Sequence, residues 1–163
     1  MKSLLIVWHS RTGGAQQMAE AAAKGAGGEP GVTTRLLPAE ATQAADVLAA
    51  DGYLFAAPEN LASLSGEMKA FFDRTYYDVL DQIAGRPYAL LVCAGSDGQG
   101  VVRQVARIAT GWRLKPAAEP LVVITGAQDG PAIWAPKTID EADLARCAEL
   151  GQALAAGLAL GIF

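Results

Sequence analysis

The chain is expected to fold as an α/β protein, an open parallel sheet of five strands with helices on both faces. Three observations predict this. Short apolar runs rich in β-formers recur along the chain. Each is followed by an Ala-rich or amphipathic stretch with helical period. The runs are continuous where strands covered on both faces should be. At 163 residues the whole chain, 1–163, reads as a single domain with room for a real core.

Strand one is Ser3–Trp8, and a loop of hydroxyls and glycines, Ser10–Ala15, follows it. Ala15, Met18, Ala19, Ala22, Ala23 and Ala26 then repeat with helical period, until Gly25, Gly27, Gly28 and Pro30 end the helix. Val32–Leu37 is strand two, and 40–50 a short helix. Gly52–Ala57 is strand three, stopped at Pro58. Ser65 is the expected N-cap of the next helix, with Leu64, Met68, Phe71 and Phe72 on one face. Tyr88–Cys93 is strand four, broken at Gly95–Gly98; Val101, Val102, Val105, Ile108 and Ala109 mark the helix behind it. Leu121–Ile124 is strand five. Thr138 and Glu141 fit a capping box for a last helix that buries Leu144, Ala148, Gly151, Leu154, Ala155 and Leu158.

Composition narrows the function. Hydrophobic residues make up 52% and charged residues 18%, which excludes disorder. A net charge of −4 argues against nucleic acid or an anionic membrane as partner. Cys93 and Cys147 are far apart and lack metal-ligand spacing, so both read as small core residues. The first apolar run is too short for a signal peptide and no run is long enough to span a bilayer, so the cytoplasm is the expected location.

In open α/β sheets ligands bind outside the carboxyl ends of the strands, at the topological switch point. Three loops are expected there: Ser10–Ala15, Pro58–Ser65 and Ala94–Gly100. A strand–loop–helix start such as Ser10–Ala15 aims backbone N–H groups and a helix dipole at one spot, which suits an anion. No G-x-x-x-x-G-K-S/T occurs, so a Walker-type triphosphate site is excluded, and G-x-G-x-x-G spacing is missing too. No lysine or second arginine lies in the loop.

Ser10-Arg11-Thr12-Gly13-Gly14-Ala15 resembles the FMN phosphate loop of flavodoxins, S/T-x-T-G-x-T, with Ala15 in place of the last hydroxyl. Ala56–Asn60 followed by Ser65-Gly66-Glu67-Met68-Lys69-Ala70-Phe71-Phe72-Asp73-Arg74-Thr75 resembles the third-strand region of flavodoxin-family NAD(P)H-dependent oxidoreductases, which include the NADPH-dependent FMN reductases. The resemblance runs from about Met1 to Ile124. It implies a flavodoxin-like fold with strand order 2-1-3-4-5, FMN as cofactor and NAD(P)H as co-substrate. By position, Ser10, Arg11, Thr12, Gly13, Gly14 and Ala15 would hold the phosphate. Pro58, Glu59, Asn60 and Leu61 would border the isoalloxazine ring, and Ala94, Gly95, Ser96, Asp97 and Gly98 would close its other side.

Neither ring-side loop contains an aromatic residue, so one ring face would be open to hydride transfer or a stacked substrate. The expected function is therefore a reductase passing hydride from a nicotinamide through flavin to a small acceptor: a quinone, nitroaromatic, azo compound, ferric chelate or free flavin. The alternative is a flavodoxin-type electron carrier; a third reading is a flavodoxin-like binding module without flavin. The chemistry belongs to the cofactor, so no catalytic acid or base is named and no metal is expected. Relatives of this kind often form homodimers or larger homo-oligomers.

Individual residues carry rival readings. His9 is read as structural rather than as a phosphate contact. Glu59 and Asn60 either meet the flavin edge or cap a turn, and Asp97 either touches flavin or caps the following helix. Arg103, Arg107, Arg113 and Lys115 read as a solvated basic face before they read as a docking patch for NAD(P)H phosphates. Tyr76 and Tyr77 suit a subunit contact or local packing, and Trp134 a cover over the site from a neighbouring subunit.

Overall fold

The computed structural model describes residues 1–163. In chain order the elements are β1 (Lys2–Trp8), α1 (Gly14–Ala26), β2 (Val32–Pro38), α2 (Ala44–Ala49), β3 (Gly52–Asn60), β4 (Ser63–Leu64), α3 (Gly66–Val79), β5 (Pro87–Ala94), α4 (Gln99–Gly111), β6 (Lys115–Pro116), β7 (Leu121–Ile124), α5 (Gly130–Trp134) and α6 (Glu141–Leu160).

Apolar residues alternate between the two faces of the sheet and make two cores. Leu5, Val7, Tyr53, Phe55, Leu90 and Val92 face α2, α3 and α4. Leu4, Ile6, Leu54, Ala56, Leu91 and Cys93 face α1 and α6. The first core is aromatic: Phe55 and Phe72 meet edge-on at 5.1 Å between centroids, and Phe72 packs on Trp112 at 5.6 Å. The second is built from small residues, so α1 and α6 approach closely. A Cβ on Gly151 would overlap the carbonyl oxygen of Ala22.

The sheet order is β2-β1-β3-β5, with β6 and β7 both pairing parallel with β5. Counted as one interrupted strand, β6 and β7 give the expected 2-1-3-4-5. The interruption has a register cause: four residues, Ala117–Pro120, stand opposite two, Ala89 and Leu90. The direction of travel reverses between β1 and β3, which places the switch point there.

Three element boundaries differ from expectation. Strand three continues past Pro58 to Asn60 and folds back on β4 as a short antiparallel hairpin. Pro58 is tolerated because its nitrogen faces the β1 side beyond Trp8, whose register partner is Ala56. The short helix begins at Ala44, because Gln43 and Asp46 form a reciprocal cap and 40–42 turn back onto Pro38. The last helix begins after Asp140 rather than Thr138; its inner face is otherwise as expected, with Gly151, Leu154, Ala155 and Leu158 buried and Leu144 and Ala148 half-buried.

Candidate functional site

The register brings three loops to one level. Trp8 is opposite Ala56, Pro58 opposite Cys93, and Ala94 opposite Ile124. The loops after β1, within the β3–β4 hairpin and after β5 therefore leave the same rim of the sheet.

Gly13 holds the first loop open. Its φ of 97° lies where only glycine sits without strain, and its N–H donates to Ser10 Oγ at 3.0 Å. The first helical N–H with an acceptor in the chain is that of Gln17, bonded to Gly13 O at 3.1 Å. The N–H groups of Gly14, Ala15 and Gln16 before it donate to nothing in the chain, which leaves three donors at the positive end of α1. Gly14 sits against Cys93: a Cβ there would lie 2.5 Å from its Sγ. The Ala15 methyl is buried in the α1–α6 core, so Ala15 offers the loop its N–H alone.

The second loop is a tight turn of two non-glycine residues with positive φ, Leu61 at 52° and Ala62 at 60°. Such a turn suits a twisted hairpin, at a cost of roughly 1–2 kcal/mol per residue. Leu61 is fully exposed at the tip. Glu59 joins this loop to the third: Oε1 accepts from Gly98 N at 2.9 Å and Oε2 from Gly100 N at 3.1 Å. It therefore caps α4, with a carboxylate at the positive end of the helix. The cap expected of Asp97 is supplied by Glu59 instead; Asp97 and Ser96 are exposed, and Gly98 is the N-cap residue. The α4 backbone can approach because Gly100 has no Cβ to meet Ala62 O. Asn60 is half-buried, and its Nδ2 is enclosed with no acceptor.

The third loop, Ala94–Gly98, is flanked by the residues after β7. Thr125 N donates to Ala94 O at 2.8 Å and Gly126 N to Gly95 O at 3.0 Å. A Cβ on Gly95 would meet Ala127 O at 2.7 Å.

His9 is structural as expected. It is buried, and its Nδ1 lies 2.9 Å from Ser65 Oγ, which joins the end of β1 to the start of α3. Nε2 lies 3.5 Å from Glu67 and 3.9 Å from Glu40. Ser65 is the N-cap residue by position, but its hydroxyl bonds His9 rather than capping α3. Arg74 binds the carbonyls of Ala39 and Thr42, both at 2.8 Å, so this motif residue serves the loop after β2.

The segment after β7 contributes Trp134, which the sequence offered as a cover from a neighbouring subunit, and Lys137, which the sequence did not point to. Trp134 lies beside Arg11 of its own chain, with the guanidinium carbon 5.4 Å from its ring centroid. Lys137 N donates to Thr12 O at 2.8 Å, and its Nζ lies 3.3 Å from Thr12 Oγ1. Gln17 clasps the same segment, donating to Lys137 O at 2.7 Å and accepting from Ile139 N at 3.0 Å. At least 120 residues separate these partners, so no local pattern reveals them.

Of the remaining candidates, Arg113 pairs with Asp81 while Arg103 and Arg107 are exposed, which makes a solvated face. Tyr76 stacks on Trp112 at 5.7 Å and Tyr77 is exposed. Both cysteines are free and buried, and burial pushes both thiols up. No group of acids, histidines and cysteines is placed to hold a metal ion, and no helix is long and apolar enough to cross a membrane. Two open clefts lie at the opposite, amino end of the strands, where both are lined by Lys2 and Asp51.

FMN fits this rim on three observations: α1 donors without an acceptor, the enclosed Asn60 Nδ2, and loop backbones that come together only because Gly95 and Gly100 lack Cβ atoms.

Residues 38–129 match the family model described as NADPH-dependent FMN reductase. A flavodoxin of Aquifex aeolicus is 35% identical over 100 residues, covering 61% of this chain and 52% of that protein. An NAD(P)H dehydrogenase (quinone) of Acidithiobacillus ferrooxidans is 30% identical over 95 residues, covering 46% and 48%. The chain thus spans about half the length of these curated relatives. A solved flavodoxin from the domain Archaea superposes with a TM-score of 0.78 at 16% identity, over 96% of this chain and 98% of that one, so the fold is flavodoxin-like. With the family match over more than half its residues, the chain belongs to the NADPH-dependent FMN reductase family.

Proposed function

We propose that the chain is an FMN-dependent oxidoreductase that takes hydride from NADH or NADPH and reduces a small acceptor such as a quinone, a nitro compound or free flavin. One observation carries the reading: three loops reach one rim, and the N–H groups of Gly14, Ala15 and Gln16 there have no acceptor in the chain. In this reading Ser10, Arg11, Thr12, Gly13, Gly14 and Ala15 hold the phosphate. Pro58, Glu59, Asn60 and Leu61 border the ring on one side, and Ala94, Gly95, Ser96, Asp97 and Gly98 on the other. FMN, when bound, supplies the redox chemistry, accepting hydride and passing electrons on. The chain's own residues bind, orient and exclude water. Asn60 Nδ2 is an enclosed side-chain donor with no acceptor in the chain, and in this reading it meets a ring carbonyl or nitrogen. Glu59 keeps the two ring-side loops at a fixed spacing by capping α4. With no aromatic side chain in either loop, one ring face stays accessible to the nicotinamide and then to the acceptor.

The likeness to a flavodoxin supports a second reading, an electron carrier without turnover. Titration with FMN, followed by NADH or NADPH and a quinone, separates the two. The enzyme reading expects saturable FMN binding and nicotinamide oxidation that depends on FMN and acceptor. FMN binding without nicotinamide oxidation favours the carrier, and no FMN binding ends both. The single sheet that takes in all seven strands supports residues 1–163 acting as one domain. A homodimer or larger homo-oligomer, a cytoplasmic location and no nucleic-acid or membrane partner complete the proposal.

A further inference from the structure

The loop Ser10–Ala15 lacks a lysine, and Ala15 turns a methyl into the core where flavodoxin loops carry a hydroxyl. The fold brings an ammonium to that loop from the far end of the chain. Lys137 Nζ lies 2.9 Å from Ala132 O, 2.9 Å from Ile133 O, 2.6 Å from Ala135 O and 3.3 Å from Thr12 Oγ1. Three hydrogens face four oxygens, and the Thr12 contact is the longest. The three carbonyls anchor the head, and an anion at the loop mouth needs to displace only that weakest contact. The segment itself is fixed, since Lys137 N and O are both bonded, to Thr12 and to Gln17.

Two further facts make this more than a cap on the turn at Ala132–Ala135. Lys137 is in none of the chain's ion pairs, so its charge is uncompensated. The charge is also felt beneath the loop: burial raises the Cys93 thiol, and Lys137 opposes that rise.

Building on the FMN reading, we infer that Lys137 is the cation of the phosphate subsite. It recognises the phosphate ester and so selects the phosphorylated flavin over riboflavin. Arg11 of the loop is held on Trp134 of the same segment.

The test compares the affinities of wild type and Lys137→Gln for FMN and for riboflavin, by flavin-fluorescence titration at two salt concentrations. Lys137→Gln is expected to weaken FMN about 10- to 100-fold, the range of one charge-assisted contact, and to flatten the salt dependence. Riboflavin affinity should stay within about twofold, which also reports that the ring side is still folded. Unchanged FMN affinity overturns the inference. So does an equal fall for both ligands, since that marks a scaffold role. A wild type that binds neither flavin overturns the FMN reading itself, and this proposal with it.

Discussion

Asn60 holds a carboxamide nitrogen inside the fold with no partner in the chain. A buried donor left this way costs roughly 1–3 kcal/mol, a cost the fold bears without return unless a ligand meets it. Asn60→Ala should therefore leave the apo protein as stable as wild type or more so, while FMN affinity falls about tenfold. Thermal melting of the apo protein and a flavin titration check the two halves; a clear loss of apo stability would make Asn60 structural. Cys147 gives a different expectation. Burial, and secondarily Asp143, pushes its thiol from an ordinary 9.0 up to about 11. A raised folded value means the neutral thiol stabilises the fold fully below about pH 9, and that contribution is lost as pH rises through about 11. The thiol should resist alkylation at pH 8 in the native protein and react at once in denaturant. Mass spectrometry of iodoacetamide-treated protein reads this directly. At this scale the sequence was only partly legible. It pointed to Asn60 and Glu59 as either flavin contacts or caps. Glu59 proved to cap a helix 39 residues onward, a choice that long-range placement alone decides.

Helices α1 and α6 carry the expectation that belongs to elements. Their small faces were visible as an Ala-rich period and as Gly151, but that the two helices pack on each other was not. Gly151→Ala gains helix propensity of about 1 kcal/mol, yet its Cβ would collide with Ala22 O, which is rigid backbone. The net should be a loss of about 1–3 kcal/mol, a fall of several degrees in the melting temperature measured by circular dichroism. A melt unchanged or raised would show that the helices can separate freely. The motif Ser65–Thr75 teaches a related point. Its residues were recognisable, but Ser65 and Arg74 bond His9 and the carbonyls of the loop after β2. The hairpin past Pro58 was hidden because proline reads as a strand stop, and only the early end of β1 makes it harmless here. Likewise, the divided fifth strand depends on register against β5, which no local run reports.

For the whole molecule, the alternation of apolar runs and helical periods was enough to fix the class, and resemblance supplied the strand order. The site followed, because a parallel sheet with a switch point beside β1 sends its carboxyl-end loops to one rim. What stayed out of sight was the return of the chain after β7, which lays Trp134 on Arg11 and Lys137 on Thr12. That return makes the rim a joint product of residues from both ends of the sequence. The most direct test of the account is a map of backbone amide shifts by NMR as FMN is added to the apo protein. The account expects the largest changes in residues 10–17, 59–62 and 94–99, with smaller ones near Lys137. Changes centred instead on the amino-end clefts around Lys2 and Asp51, with the rim silent, would contradict it.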